Sequence, residues 1–161
     1  MTVTAGSRLI ASQLNGTLTA YTPSWTGAGS NPVIGNGTLS GQWSTGVGIV
    51  WFTIYIAGGS TTTAGSGLYS VSLPVAAKTV SGGGPVGSYS GILDHSGVAS
   101  GNTAGSVLSG QSSIGSSFAP AQGYIPVSVG TSGVVQWSAT SPFSISGANF
   151  TMQMSGWYYS S

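Results

Sequence analysis

The sequence predicts an all-β protein, an antiparallel β-sandwich of jelly-roll-like form with a short N-terminal helix or hook. Three observations carry that prediction. Segments of period-two alternation recur along the chain, as half-buried strands require. Turn dipeptides separate them, at Asn31-Pro32, Asn36-Gly37, Gly58-Gly59 and Ser141-Pro142. After residue 15 no helix of normal length is visible, and no βαβ unit.

The elements follow in order. Residues 7–15 place Leu9, Ile10 and Leu14 at helical spacing, with Ser7 as N-cap and Asn15-Gly16 as the stop. Residues 16–21 alternate Leu18 and Ala20 against Thr17, Thr19 and Tyr21. Residues 38–44 put Leu39, Gly41 and Trp43 on one face. Residues 47–57 make the central strand, apolar on both faces at Val50, Trp51 and Phe52. Residues 67–73 alternate cleanly, with Tyr69, Val71 and Leu73 inward. Shorter strands follow at 88–93, 124–129 and 134–137. The last strand, 149–159, sets Phe150, Met152 and Met154 on one face. Residues 79–87 and 97–122 read as Gly- and Ser-rich loops, the second holding a strand near 106–109. The expected organisation is an N-terminal anchor segment, 1–15, and one sandwich domain, 16–161.

Composition narrows the function. The chain has 161 residues, of which only Arg8, Lys78 and Asp94 are charged; an ordinary domain is about one quarter charged. Two cations cannot neutralise a nucleic-acid backbone, which excludes nucleic-acid binding. One acid cannot make a carboxylate pair. One His and no Cys make neither a zinc site nor a disulfide. No cofactor is expected. The hydrophobic fraction of 40%, with five Trp spread along the chain, argues for a folded domain rather than a linker. Gly, at 28 residues, adds backbone entropy cost without packing, so contact with further copies is a natural remedy. The most apolar stretch, residues 46–59, is shorter than the roughly 20 residues a membrane helix needs. The first 15 residues lack a signal-peptide core, so the chain is read as made in the cytoplasm and not secreted.

Several blocks resemble a known group. Residues 4–15 (TAGSRLIASQLN), 21–41 (YTPSWTGAGSNPVIGNGTLSG), 65–76 (GSGLYSVSLPVA) and 142–155 (PFSISGANFTMQMS) resemble bacteriophage virion-surface β domains of the tail-fibre, minor tail and capsid-decoration type. The chain departs from that pattern in its very apolar strand at 49–57 and its scarcity of acids. The resemblance implies a sandwich that assembles as a homotrimer on a particle surface, beside the major capsid protein or tail proteins.

The candidate sites follow. Asp94-His95 is the only acid–base neighbour pair, and it reads as a turn acid beside a loop His rather than a catalytic dyad. No enzymatic activity is expected. Gly82–Gly84 lacks the Lys and the helix start of a phosphate loop. Arg8, Leu9, Ile10 and Leu14 are the expected particle anchor. Tyr21, Trp25, Trp157, Tyr158 and Tyr159 are candidates for stacking on a glycan or packing on a neighbouring subunit. The expected role is a non-enzymatic capsid decoration protein that binds and stabilises the head shell. The alternative is a tail-fibre or head-fibre module that binds a host-surface glycan.

Overall fold

The computed structural model describes residues 17–78, 87–95, 106–112, 122–124, 126–128, 134–140 and 144–161. The expected N-terminal helix, the anchor residues Arg8, Leu9, Ile10 and Leu14, the Gly82–Gly84 loop and the Ser141-Pro142 turn lie outside the described residues. Among those described, the chain is all-β and contains no helix.

In chain order the strands are β1 (Thr19–Tyr21), β2 (Trp25–Gly27), β3 (Thr38–Gly46), β4 (Ile49–Ala57), β5 (Tyr69–Ser72), β6 (Gly87–His95), β7 (Ser106–Ser112), β8 (Gln122–Tyr124), β9 (Pro126–Ser128), β10 (Val134–Gln136) and β11 (Phe150–Tyr159). Six of them form one sheet in the order β1-β3-β4-β11-β6-β7. A three-stranded sheet runs β2-β5-β8, and β9 pairs with β10. Every pairing is antiparallel. The C-terminal strand β11 lies between β4 and β6, so the chain's last segment closes the middle of the largest sheet.

Local chemistry sets the register of the longest hairpin. Gly46 pairs with Ile49, which leaves a two-residue loop, Val47-Gly48, between β3 and β4. Both residues have positive φ, 51° and 76°, as a hairpin turn matched to the strand twist requires. Val47 is therefore a turn residue and not the first residue of the strand, as the apolar run suggested. The Asn36-Gly37 signal marks a real turn centred one residue earlier. Gly37 N–H donates to the Ile34 carbonyl at 2.9 Å, and Gly35 takes φ 59°.

Alternation then sorts the side chains of the six-stranded sheet. Val50, Phe52, Ile54 and Ile56 of β4 are buried, as are Phe150, Met152, Met154 and Tyr158 of β11. Burial of each such side chain stabilises by about 1.5–3 kcal/mol. Strand β1 turns the face not suggested by its apolar residues. Leu18 and Ala20 are exposed, while Tyr21 packs against the core with its ring over Gly41. A Cβ at position 41 would overlap that ring, which is why the strand carries Gly there.

An aromatic cluster joins the two larger sheets. Trp25 of β2 stacks on Trp137 with centroids 5.4 Å apart, and meets Phe150 of β11 at 5.7 Å. Tyr69 of β5 sits edge-on to both indoles, at 5.0 and 4.8 Å. Its hydroxyl donates to the Ala64 carbonyl. Beyond β5, the Tyr158 hydroxyl donates to the Val75 carbonyl at 2.8 Å and accepts from the Val75 N–H at 3.3 Å. One inward-facing phenol thus fastens a connecting segment to the sheet. Strand β2 has no counterpart in the period-two pattern, because three residues are too few to show one.

Candidate functional site

The outward side chains of the same strands make an uncovered face. Three cross-strand rows build it. Ser44, Trp51, Trp157 and Ser88 occupy the first, on β3, β4, β11 and β6. Gln42, Thr53 and Ser155 occupy the second, and Ser40, Tyr55 and Gln153 the third. Trp51 is 48% exposed, Trp157 37%, Tyr159 46% and Tyr55 40%. The Trp157 and Tyr159 rings meet edge to face at 5.5 Å. Large rings normally stay on a surface in isolation; four on one sheet face is a feature that needs a reason.

Two shallow depressions run along this face. The first, of about 480 Å³, is lined by Leu18, Gln42, Trp51, Thr53, Ser88, Ser155 and Trp157 among others. The second, also about 480 Å³, is lined by Ser40, Gln42, Thr53, Tyr55 and Gln153 among others. Gln42 and Thr53 border both, so the two lie side by side along one groove-like stretch of the face. Among the described residues no charged side chain lines it.

The hydrogen bonding of this face contrasts with that of residues 24–36 and 60–72. Several hydroxyls there are used internally. Thr26 and Ser70 share a bond at 2.8 Å, Ser30 and Ser66 at 3.0 Å, and the Thr62 hydroxyl donates to the Ile34 carbonyl at 2.6 Å. The Asn36 side chain is held by Ser60 and Thr61. These bonds tie residues 24–36 to residues 60–72. On the outer face, the side chains of Gln42, Thr53, Ser88 and Ser155 make no hydrogen bond within the described protein, and all four are exposed.

The residues singled out from sequence divide sharply. Trp157 and Tyr159 are on the outer face. Trp25 and Tyr158, at 6% and 1% exposure, belong to the core and offer no ring face to a ligand or subunit. Tyr21 is half-buried, and its hydroxyl is enclosed without a partner. Burial raises the pKa of the Tyr21 phenol well above its ordinary value, with Tyr158 adding to the shift. Sequence reasoning missed Trp51 and Tyr55, which it placed on a central strand read as apolar on both faces at its middle. Their signal was present as odd-numbered aromatics alternating with Phe52, Ile54 and Ile56.

Asp94 and His95 lie within β6, opposite Thr151 and Phe150, and not in a turn and a loop as expected. Among the described residues no three of His, Cys, Asp and Glu gather into a metal-binding group. No helix among them is long and apolar enough to cross a membrane. Comparison with known protein families, with curated proteins and with solved structures finds no match.

Proposed function

We propose that this chain is a structural protein of a bacteriophage virion surface, a capsid decoration protein that binds the head shell as a homotrimer and stabilises it. In this reading the two larger sheets are the layers of a β-sandwich that share the Trp25–Trp137–Phe150 cluster. The anchor is the N-terminal segment with Arg8, Leu9, Ile10 and Leu14. The partners are the major capsid protein and further copies of the chain.

One observation carries the proposal. The surface exposes large apolar side chains, among them Val33, Val47 and Leu68, with almost no charge to guard them. Free-standing proteins keep such surfaces charged and mixed. A chain that does not is suited to being covered, and its attachment rests on apolar and main-chain complementarity. Charge screening then has little to act on, so attachment to particles persists at raised salt. Release at moderate salt overturns this mechanism.

The deciding experiment is the copy number in purified virions, by quantitative mass spectrometry against the major capsid protein. Comparable numbers support decoration. A handful per particle moves the chain to the tail or a vertex, and absence from the virion overturns the proposal.

A further inference from the structure

We propose that the groove between Trp51 and Trp157, continuing past Gln42 and Thr53 to Tyr55, is a binding site for a short neutral oligosaccharide. The argument runs from the chemistry of its three rows. The outer rows present aromatic faces, and the middle row presents an amide and two hydroxyls whose hydrogen-bonding capacity the protein leaves unused. A sugar ring is amphipathic in the matching sense. Its C–H face suits an indole or phenol ring, and its rim hydroxyls suit Gln, Ser and Thr.

Other occupants fit less well. A phosphate or carboxylate ligand would find no cation among the described residues of the groove. A purely apolar ligand would strip water from Gln42, Thr53 and Ser155 without replacing their hydrogen bonds. An extended peptide would find no free main-chain ladder, because β4 and β11 are each paired on both sides. The length is suitable. Trp51 and Tyr55 are four residues apart on one strand, which is about 13 Å at the usual rise, room for a short chain of rings rather than a single one. The groove stands on the described sheet alone, so the proposal is independent of particle attachment and of where on a particle the chain sits.

The test uses the full chain, free in solution, with ¹⁵N-labelled Trp. Cellotetraose, maltotetraose, chitotetraose and mannotetraose are titrated while the indole N–H resonances are followed. The expected result is saturable movement of the Trp51 and Trp157 signals by at least one of these sugars, with the buried Trp25 and Trp137 signals unmoved. Trp157→Ala and Gln42→Ala should each weaken that binding about tenfold or more while leaving the thermal midpoint near that of the parent, and added salt should not change it. No movement with any of the four sugars overturns the proposal. So does binding that both variants retain. Movement of the two indoles on dilution alone, without sugar, assigns the face to a second copy of the chain and also overturns it.

Discussion

On the inner face of β4 and β11, Val50, Ile54, Ile56, Phe150 and Met152 are essentially inaccessible to water. On the outer face of the same strands, Trp51, Tyr55, Trp157 and Tyr159 stand open beside Thr53, Gln153 and Ser155. The backbone pairing is shared, so the difference lies wholly in what each face meets. The inner face is filled by the aromatic cluster carried on β2, β5 and the segment after β10. The outer face meets no described element, and its polar groups make no internal bonds. The comparison teaches that ring size and hydrophobicity do not by themselves decide burial in this chain. The presence of a second layer does.

The largest expected effect tests that contrast directly. Ile54→Ala on the inner face should cost about 2–5 kcal/mol through lost transfer energy and the cavity left behind. Its neighbour Thr53→Ala, facing outward, should stay within about 0.5 kcal/mol. Urea denaturation measures both. Equal costs would mean that the outer face is also packed.

Alkaline titration distinguishes the faces next. Burial pushes the Tyr69 phenol from 10.0 up to about 12, and Tyr158 likewise to about 12, in the latter case against a lowering by its bond to Val75. Burial also raises Tyr89 and Tyr21. Each folded value lies above the unfolded one, so the neutral phenol is the form the fold favours. Their stabilising contribution is complete below about pH 10 and is lost as pH rises through about 12. Denaturation followed at a series of alkaline pH values, alongside phenolate absorbance, should show stability falling as these four groups ionise. Stability that is level across that range would place them in water.

Tyr158→Phe should cost about 1–3 kcal/mol, because it removes the partner of both the Val75 carbonyl and the Val75 N–H. Tyr159→Phe, one residue on and facing outward, should be nearly neutral. Thermal unfolding of the pair checks this, and equal effects would argue against the tether. The smallest effect is a gain. Val47 is the one non-glycine residue of positive φ among those described, at 51°, and β-branched residues resist that conformation. Val47→Asn should stabilise by about 0.5–1 kcal/mol by giving the hairpin an Asn-Gly turn. A loss instead would show that the exposed valine is already making a contact in solution.

Much of the β architecture was readable along the chain, and particular residues show why. Tyr69, Val71 and Leu73 alternate with Ser70 and Ser72, so their inward face needed no structure to find. Phe150, Met152 and Met154 were legible for the same reason. Strand β4 was not, because Trp51 and Tyr55 are as apolar as the residues between them, and period two then marks two faces without ranking them. Strand β1 was misleading. Its aliphatic residues face out, and its Tyr21 faces in because Gly41 opposite leaves space for the ring. The candidate site suffered most from this. Of the aromatics singled out in the C-terminal strand, Trp157 and Tyr159 reached the outer face while Tyr158 between them went to the core.

The amino-acid sequence alone pointed to a chain built of β-strands, and it determined a composition of three charged residues, one His and no Cys, which leaves hydroxyls, amides and aromatic rings as its main side-chain chemistry. Those conclusions are local or compositional, and need no knowledge of which residues meet. Only the tertiary structure decided that β11 inserts between β4 and β6, that β2 and β5 supply the aromatic cover, and that Trp51 and Trp157 stand side by side in the open. Each of these depends on pairing between segments far apart in the chain. A strand's alternation defines its two faces, but only its neighbours determine which face loses its water.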